Sequence, residues 1–325
     1  MPRSILSILG ILMFGAILYC GGVEALRQVA EADLFYLGCA FVAAGVGAFL
    51  TSVRWGLIVD SLEGRVVHSR LRYFYYVMMG KVSSLFVSQY VGDYAVRPLA
   101  LTASSSTDFG TAFYSVLLDR LFDLVLSLLF LVPALLYLAS IVSEEMMILL
   151  IAGVVAVYWL ISARNHRILT DSLAAVIGAV ERWKAKAPFM ESTIERVVEM
   201  MEGGRKGLAE VGRKCITAAN LLTFGRYLAM ALRAYLICLA LHLTIPFWVV
   251  FLAVGLVRFS LLLAVAPGRL GVLEVGWYGV LALGGVGSAT IIPFLIGLRV
   301  YSLVFNAVLA LGAHVAVTLI PRTAD

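Results

Sequence analysis

Apolar residues occur in runs of about 20, separated by short polar segments. A transmembrane helix needs about 20 apolar residues, so each run predicts one span or one membrane hairpin. In chain order the runs are Ser4–Val23, Leu34–Asp60, Tyr73–Tyr90, Thr111–Leu138, Met146–Ser162, Ile216–His242, Pro246–Val286 and Ala289–Ile320. This pattern predicts an all-α polytopic membrane protein, in which residues 1–325 form a single integral membrane domain.

Basic residues in two loops orient these spans. The loop Glu63–Arg72 carries three arginines, and the segment at about 164–214 carries ten Lys and Arg. Positively charged loops stay in the cytoplasm, so both termini are predicted to be cytoplasmic and the loop Glu24–Asp33 is predicted to lie outside. Apolar residues at helical spacing between Ile194 and Met201 predict that part of the long basic segment is an amphipathic helix.

The cytoplasmic loops must be joined by an even number of membrane crossings, so two of the apolar stretches cannot cross the membrane. Tyr73–Asp108 must enter and leave from the cytoplasm, and Pro246–Val286 must enter and leave from outside. The order span, re-entrant hairpin, span therefore occurs twice with opposite orientation, at about 34–138 and about 216–320, with additional N-terminal and central spans. Inverted repeats with broken helices are a transporter architecture.

Each predicted hairpin contains a polar break. The first has Gly92 with Asp93 and Arg97, and the second has Arg269 and Glu274 around turn residues Pro267, Gly268 and Gly271. Lipid cannot solvate irregular backbone, so the two tips are predicted to meet near the membrane midplane. Guanidinium groups and free backbone amides suit a phosphate, which makes Asp93, Arg97, Arg269 and Glu274 the first candidates for ligand binding.

Other charges also fall inside the apolar runs. Arg226 and Arg233 are seven residues apart, hence on one helix face, and each is about 13 Å or more from its span's end. We expect both to face the interior and, with Arg258, to bind ligand. An ion pair with Asp119 or Asp123 is the alternative.

Asp119, Arg120 and Asp123 are predicted to form structural ion pairs within one span. Arg54 can snorkel to the interface beside Trp55, an interfacial anchor, or face the interior. The pattern does not decide whether Lys81, Arg54 and Arg299 line the cavity.

Composition narrows the class further. The chain has 62% hydrophobic and 14% charged residues, against about 25% charged residues in soluble domains. The net charge of +5 is spread over loops rather than gathered on a soluble domain, which argues against nucleic-acid binding. The four cysteines lie singly, and neither metal-ligand spacing nor a P-loop or nucleophile elbow occurs. We therefore expect no metal, no cofactor and no enzymatic activity.

These motifs resemble the transmembrane region of the lysylphosphatidylglycerol synthase/flippase family. The resemblance rests on Gly92-Asp93 with Arg97, on Asp119-Arg120 with Asp123, and on Pro267-Gly268, Gly271 and Glu274. This chain has Val91 where that family often has proline, and Leu273 where it often has arginine before the glutamate. No segment resembles the family's aminoacyl-transferase domain, so we expect a stand-alone member in a bacterial or archaeal cytoplasmic membrane.

The resemblance implies lipid translocation. We expect a flippase or scramblase whose cavity receives a phosphate-bearing head group: a phospholipid, an aminoacyl-phosphatidylglycerol or a polyprenyl-phosphate sugar. A secondary transporter of a small anion and a membrane-embedded transferase acting on a lipid phosphate are the alternatives. The expected partners are lipid and bilayer, with a separate lipid-modifying enzyme or a homo-oligomer also compatible with the sequence.

Overall fold

The computed structural model describes residues 22–86, 91–164, 211–261 and 271–319, with a few single positions outside these ranges. Every regular element within the described ranges is helical. The elements are α1 (residues 22–30), α2 (Leu34–Glu63), α3 (Arg70–Phe86), a π-helix (Gly92–Val96), α4 (Arg97–Thr102), α5 (Phe109–Leu138), α6 (Glu144–Arg164), α7 (Arg213–Ala240), α8 (Phe247–Leu261), α9 (Val272–Leu283) and α10 (Ser288–Leu319).

Four of the described helices, α2, α5, α7 and α10, are long and apolar enough to cross a membrane. Each has between 28 and 32 residues, and at about 1.5 Å per residue such a helix exceeds a hydrocarbon core of about 30 Å. They coincide with runs that the sequence predicted as spans. The prediction of an all-α polytopic membrane protein is confirmed.

The segment before α2 differs from the prediction. Glu24–Asp33 was expected to be a loop, but residues 22–30 are helical. Arg27 and Glu31 form an ion pair one helical turn apart, at 2.8 Å, and Ala25 and Val29 are buried against the other helices. Charged and polar side chains therefore gave this stretch a loop-like composition without breaking the helix. Most of the predicted first span, Ser4–Val23, lies outside the described residues.

The first predicted hairpin folds back on itself. An added Cβ at Gly80 of α3 would lie 2.9 Å from the carbonyl oxygen of Gly92, so the two backbones touch where the chain has turned. Further back along α3, the Tyr76 hydroxyl donates a hydrogen bond of 2.7 Å to Ser104, which follows α4. As α3 is followed back from Gly80 to Tyr76, its contacts move forward along the chain from Gly92 to Ser104, as in an antiparallel hairpin. Its re-entrant position in a bilayer stays a prediction.

The second predicted hairpin has a similar outline. Helices α8 and α9 pack against each other, and an added Cβ at Gly284, just after α9, would lie 2.6 Å from Val249 near the start of α8. Gly271 precedes α9 with a φ of 79°, a left-handed conformation that glycine adopts without strain. The turn residues Pro267, Gly268 and Arg269 lie outside the described residues.

Helix pairing follows one pattern in both halves. Helix α2 packs on α7, the first arm of each hairpin packs on the last span of the other half (α3 on α10, α8 on α5), and each return arm packs on the span that follows it. Exchanging the halves leaves this scheme unchanged, which supports the predicted repeat, while its inverted orientation stays a prediction. The basic segment at about 164–214 lies mostly outside the described residues, although Ile177 and Val198 pack with Ile58 and Leu118.

Candidate functional site

A cavity of about 230 Å³ lies between the two halves. Eight elements line it: α2, α3, the π-helix, α5, α7, α8, α9 and α10. Its basic lining residues are Lys81, Arg120, Arg226, Arg233, Arg258 and Arg299, and its acidic lining residues are Asp93 and Glu274. Six cations against two carboxylates give the lining a formal charge of +4. Side chains from both hairpins therefore reach the same space.

One carboxylate organises the cations on the α5 side. Asp123 lies 2.8 Å from Arg54, 3.2 Å from Arg258 and 3.3 Å from Arg120, and it also pairs with Arg226. These guanidinium groups come from α2, α8, α5 and α7. A buried charge is tolerated when it is paired and hydrogen-bonded, so Asp123 joins four helices through a single side chain. We call Asp123 with these four arginines the Asp123 hub.

Asp119, one turn before Asp123, binds two fully buried arginines. Arg54 donates to it at 2.8 Å and Arg97 at 3.1 Å. Arg97 also lies over the ring of Trp55, with its guanidinium carbon 4.3 Å from the ring centroid. The Trp55 indole N–H donates to Ser115 at 2.9 Å. This layer of cation, ring and carboxylate lies behind the cavity wall and braces the first hairpin against α2 and α5.

This layer bears on three sequence expectations. Arg97, a predicted ligand residue, is fully buried and is not among the cavity-lining residues, and its binding role stays a prediction. Arg54 does not snorkel, because it is fully buried between two carboxylates. Trp55 is fully buried and is not an interfacial anchor. Sequence position alone could not show that Asp119 and Asp123 would draw Arg54 inward.

Asp93, Arg120 and Asp123 connect the first hairpin to the hub. Arg120 lies 2.8 Å from Asp93 in the π-helix and 3.3 Å from Asp123. Asp93 is buried and lines the cavity, as predicted for a ligand-site residue. Arg120 was predicted to be purely structural, yet it lines the cavity as well. The pair Asp93–Arg120 thus fixes the tip of the hairpin at the edge of the cavity.

Glu274 and Arg299 mark the opposite wall. Glu274 lies in the first turn of α9, is almost fully buried, and has Arg299 of α10 at 3.7 Å. Neither carboxylate oxygen accepts a hydrogen bond from a described residue. The sequence left the position of Arg299 undecided, and the structure places it on the cavity. The second hairpin therefore contributes a carboxylate whose hydrogen-bonding capacity is open.

Lys81, Arg233 and Arg258 lie on the remaining wall. All three line the cavity, and no described residue forms an ion pair with Lys81 or Arg233. The Nε atoms of Arg233 and Arg258 are buried and have no hydrogen-bond acceptor among the described residues. Lys81, whose position the sequence left open, faces the same space as the predicted ligand residues. Of these three cations, only Arg258 has a carboxylate within ion-pair distance in the described part of the chain, namely Asp123 at 3.2 Å.

The predicted ligand residues are thus brought together except for two. Asp93, Arg226, Arg233, Arg258 and Glu274 line one cavity. Arg97 is behind the wall, and Arg269 lies outside the described residues. The predicted meeting of the two hairpin tips stays untested, because the second tip is outside the described ranges.

Comparison with known proteins gives the family. A family model described as the lysylphosphatidylglycerol synthase TM region matches residues 4–310. A UPF0104 membrane protein of Pyrococcus horikoshii is 23% identical over 295 residues, which cover 85% of this chain and 85% of that protein. No solved structure matches the chain. The match to the family model spans nearly the whole chain, so the chain belongs to the lysylphosphatidylglycerol synthase transmembrane-region family.

Proposed function

We propose that this family member is a lipid flippase or scramblase that moves a phosphate-bearing lipid between the two leaflets. The observation that carries the proposal is the charge of the cavity, with six basic and two acidic side chains on its lining. Ionisable residues within a membrane domain mark substrate pathways, and guanidinium groups suit phosphate oxygens. The cavity receives the head group while the apolar tails stay in lipid.

The division of the lining between the hairpins supports movement. Lys81 and Asp93 come from the first hairpin, and Arg258 and Glu274 come from the second. If the hairpins enter from opposite sides, as the basic loops predict, rocking one half against the other exposes the same charges to each leaflet in turn. Such alternation around a fixed site is the mechanism of inverted-repeat transporters.

The size of the cavity favours a head group over a whole lipid. A cavity of about 230 Å³ suits a phosphate with a small substituent. A small soluble anion would fit equally well, so uptake of a free anion is the second candidate. The protein has no catalytic role in this proposal, and transport runs down a gradient or couples to an ion or the membrane potential.

The proposal includes the location of the protein in the cell. The protein lies in the cytoplasmic membrane of a bacterium or archaeon with both termini inside. It works on lipid supplied by a separate lipid-modifying enzyme. A homo-oligomer is compatible with this arrangement.

Reconstitution tests the function. Vesicles with the purified protein and fluorescent phosphatidylglycerol are treated with an impermeant quencher, and we expect quenching to extend from the outer leaflet to both leaflets. Arg233→Gln should slow the quenching of the inner-leaflet lipid. Arg27→Gln is the matched control, because Arg27 is exposed and pairs only with Glu31 among described residues. Uptake of labelled phosphate without lipid movement would favour the small-anion transporter, and conversion of the lipid would favour a transferase.

A further inference from the structure

We propose that Lys81, Arg233 and Arg258 form an anion subsite that selects a doubly charged phosphate, a phosphomonoester or diphosphate, over a singly charged phosphodiester. The three residues come from α3, α7 and α8, so the subsite joins one arm of each hairpin to a span. The inference deepens the proposed function and rests on it for the assumption that the cavity receives a head group. We call these three residues the anion subsite.

The first argument is the charge balance of the buried cluster. The cluster contains six arginines that lie within 3.7 Å of Asp93, Asp119, Asp123 or Glu274: Arg54, Arg97, Arg120, Arg226, Arg258 and Arg299. Adding Lys81 and Arg233 gives eight basic side chains, against four carboxylates, Asp93, Asp119, Asp123 and Glu274. The excess is therefore four positive charges.

The connecting segments cannot reduce this excess. Residues 87–90 and 262–270, which connect the helices of the hairpins, include no Asp or Glu, and the second segment adds Arg269. Uncompensated charges within a membrane domain are costly. Anions from solvent or substrate can balance the positive excess that the described residues leave, and a doubly charged group balances more of it than a phosphodiester does.

The second argument is the position of the unpaired cations. Lys81 and Arg233 have no carboxylate partner among the described residues, and both line the cavity. The charges of Arg226 and Arg233 repel that of Lys81, with a smaller attraction from Asp93, and the charge of Arg258 repels that of Arg233. Cations that repel one another around the same cavity are stabilised by an anion bound among them. Of the three, only Arg258 has a carboxylate within ion-pair distance among the described residues.

Arg258 connects this wall to the Asp123 hub. One terminal nitrogen, Nη1, lies 3.2 Å from Asp123, which fixes the position of the guanidinium group. The other, Nη2, donates to the thioether sulfur of Met230 at 2.8 Å. A thioether is a weak acceptor, so a phosphate oxygen that replaced it would form a stronger, charge-assisted hydrogen bond. Arg258 is therefore held in place by one nitrogen and has its Nη2 and Nε donors available for a ligand.

Glu274 sets where the phosphate can lie. Its carboxylate is on α9, next to Arg299 and on the cavity wall formed by the second hairpin. Its negative charge repels a phosphate, so the anion is directed towards Lys81 and Arg233. The open acceptor atoms of Glu274 then suit a hydroxyl or amine of the same head group. The cavity lining thus offers cations to a phosphate and, at Glu274, an acceptor to another part of the head group.

Binding to the full chain in phosphatidylcholine nanodiscs tests the selectivity. The soluble probes are glycerol phosphate, a monoester, and glycerophosphoglycerol, a diester. At about pH 8 the monoester carries two charges, because its second pKa is about 6. We expect it to bind at least about tenfold more tightly than the diester, equivalent to about 1.4 kcal/mol. The preference should shrink at about pH 5, where the monoester loses one charge.

Variants assign the preference to the subsite. Lys81→Gln and Arg233→Gln should each reduce the preference for the monoester, whereas Arg27→Gln should leave it unchanged. Lys81→Arg and Arg233→Lys keep the charge and should keep the preference, so they decide the matter if a glutamine variant fails to fold. Equal affinity for the two probes, or an unchanged preference in the folded glutamine variants, would overturn the proposal.

The same variants, reconstituted in vesicles, show whether the phosphate belongs to a lipid or to a soluble anion, and they test the flippase function separately from the anion subsite. Phosphatidic acid is the lipid monoester and phosphatidylglycerol the lipid diester. Faster movement of phosphatidic acid supports a lipid head group, whereas soluble-probe selectivity with no lipid movement supports the subsite but contradicts the flippase. Equal rates for both lipids, together with equal probe affinity, contradict the subsite and leave the flippase standing.

Discussion

Replacing Asp123 by asparagine removes the negative charge of the Asp123 hub and keeps the size of its side chain. Two of its four arginines retain another carboxylate. Arg54 keeps Asp119 at 2.8 Å, and Arg120 keeps Asp93 at 2.8 Å. Arg226 and Arg258 lose the only carboxylate that pairs with them among the described residues. The variant therefore leaves two guanidinium groups without a carboxylate partner among the described residues.

The size of the effect follows from the exposure of these two groups. Breaking a fully buried ion pair costs about 3–5 kcal/mol, so two such breaks set an upper limit. The side chains of Arg226 and Arg258 are 11% and 15% exposed and border the cavity, where water can solvate part of their charge. We therefore expect a total loss of about 3–5 kcal/mol. At roughly 2 °C per kcal/mol for a long chain, the melting temperature falls by about 6–10 °C.

Thermal unfolding in detergent, followed by tryptophan fluorescence, measures this loss. Asp108→Asn is the matched control, because Asp108 caps the exposed start of α5 and asparagine caps a helix about as well as aspartate. The double variant Asp123→Asn/Arg226→Gln should recover part of the stability, since one uncompensated charge is removed. A melting temperature of Asp123→Asn within error of the unsubstituted protein would refute the role of the hub.

Two further predictions concern the first hairpin and the helix that follows it. Gly80→Ala should lower the melting temperature, because its Cβ would lie 2.9 Å from the Gly92 carbonyl oxygen. Gly38→Ala is the control and should not lower it, because no heavy atom lies within 4 Å of the added Cβ. Equal effects of the two substitutions on the melting temperature would contradict the close approach of Gly80 and Gly92. Hydrogen bonds from Thr111 hold the pKa of Asp108 below its usual range, so the cap is complete above the unfolded pKa of about 3.9 and is lost as the pH falls through the lower folded pKa. Protection of the Thr111 amide against hydrogen exchange should follow this pH dependence and lose it in Asp108→Asn; an unchanged profile in that variant would contradict the cap.

The spans were predictable from the sequence because the physical requirement behind them is simple. A bilayer demands about 20 apolar residues per crossing, and the helix Ser288–Leu319 begins and ends within a residue of the predicted run Ala289–Ile320. The helix at residues 22–30 was missed because its polar residues resemble a loop in composition. The spacing of four residues between Arg27 and Glu31 is a signal that would have indicated a helix.

The partners of individual charges were less predictable. Arg226 and Arg233 share a helix face, and both line the cavity as expected. Only the fold shows that one of them pairs with Asp123 while the other has no carboxylate partner among the described residues. Arg97, placed beside a glycine break, had the same sequence signature as a ligand residue. Its position over Trp55 depends on packing between α2 and α4, which periodicity does not specify.

Opposing demands of stability and binding explain why the carboxylates of the cluster are shared. A separate carboxylate for every cation would neutralise the cavity, which would then have no affinity for an anion. A cluster without carboxylates would leave every guanidinium group uncompensated, at a cost that exceeds the whole stability of an ordinary domain, about 5–15 kcal/mol. Asp123 resolves this conflict by contacting arginines from four helices at once. One negative charge thereby orders four cations, and the cavity keeps the positive excess that an anionic head group requires.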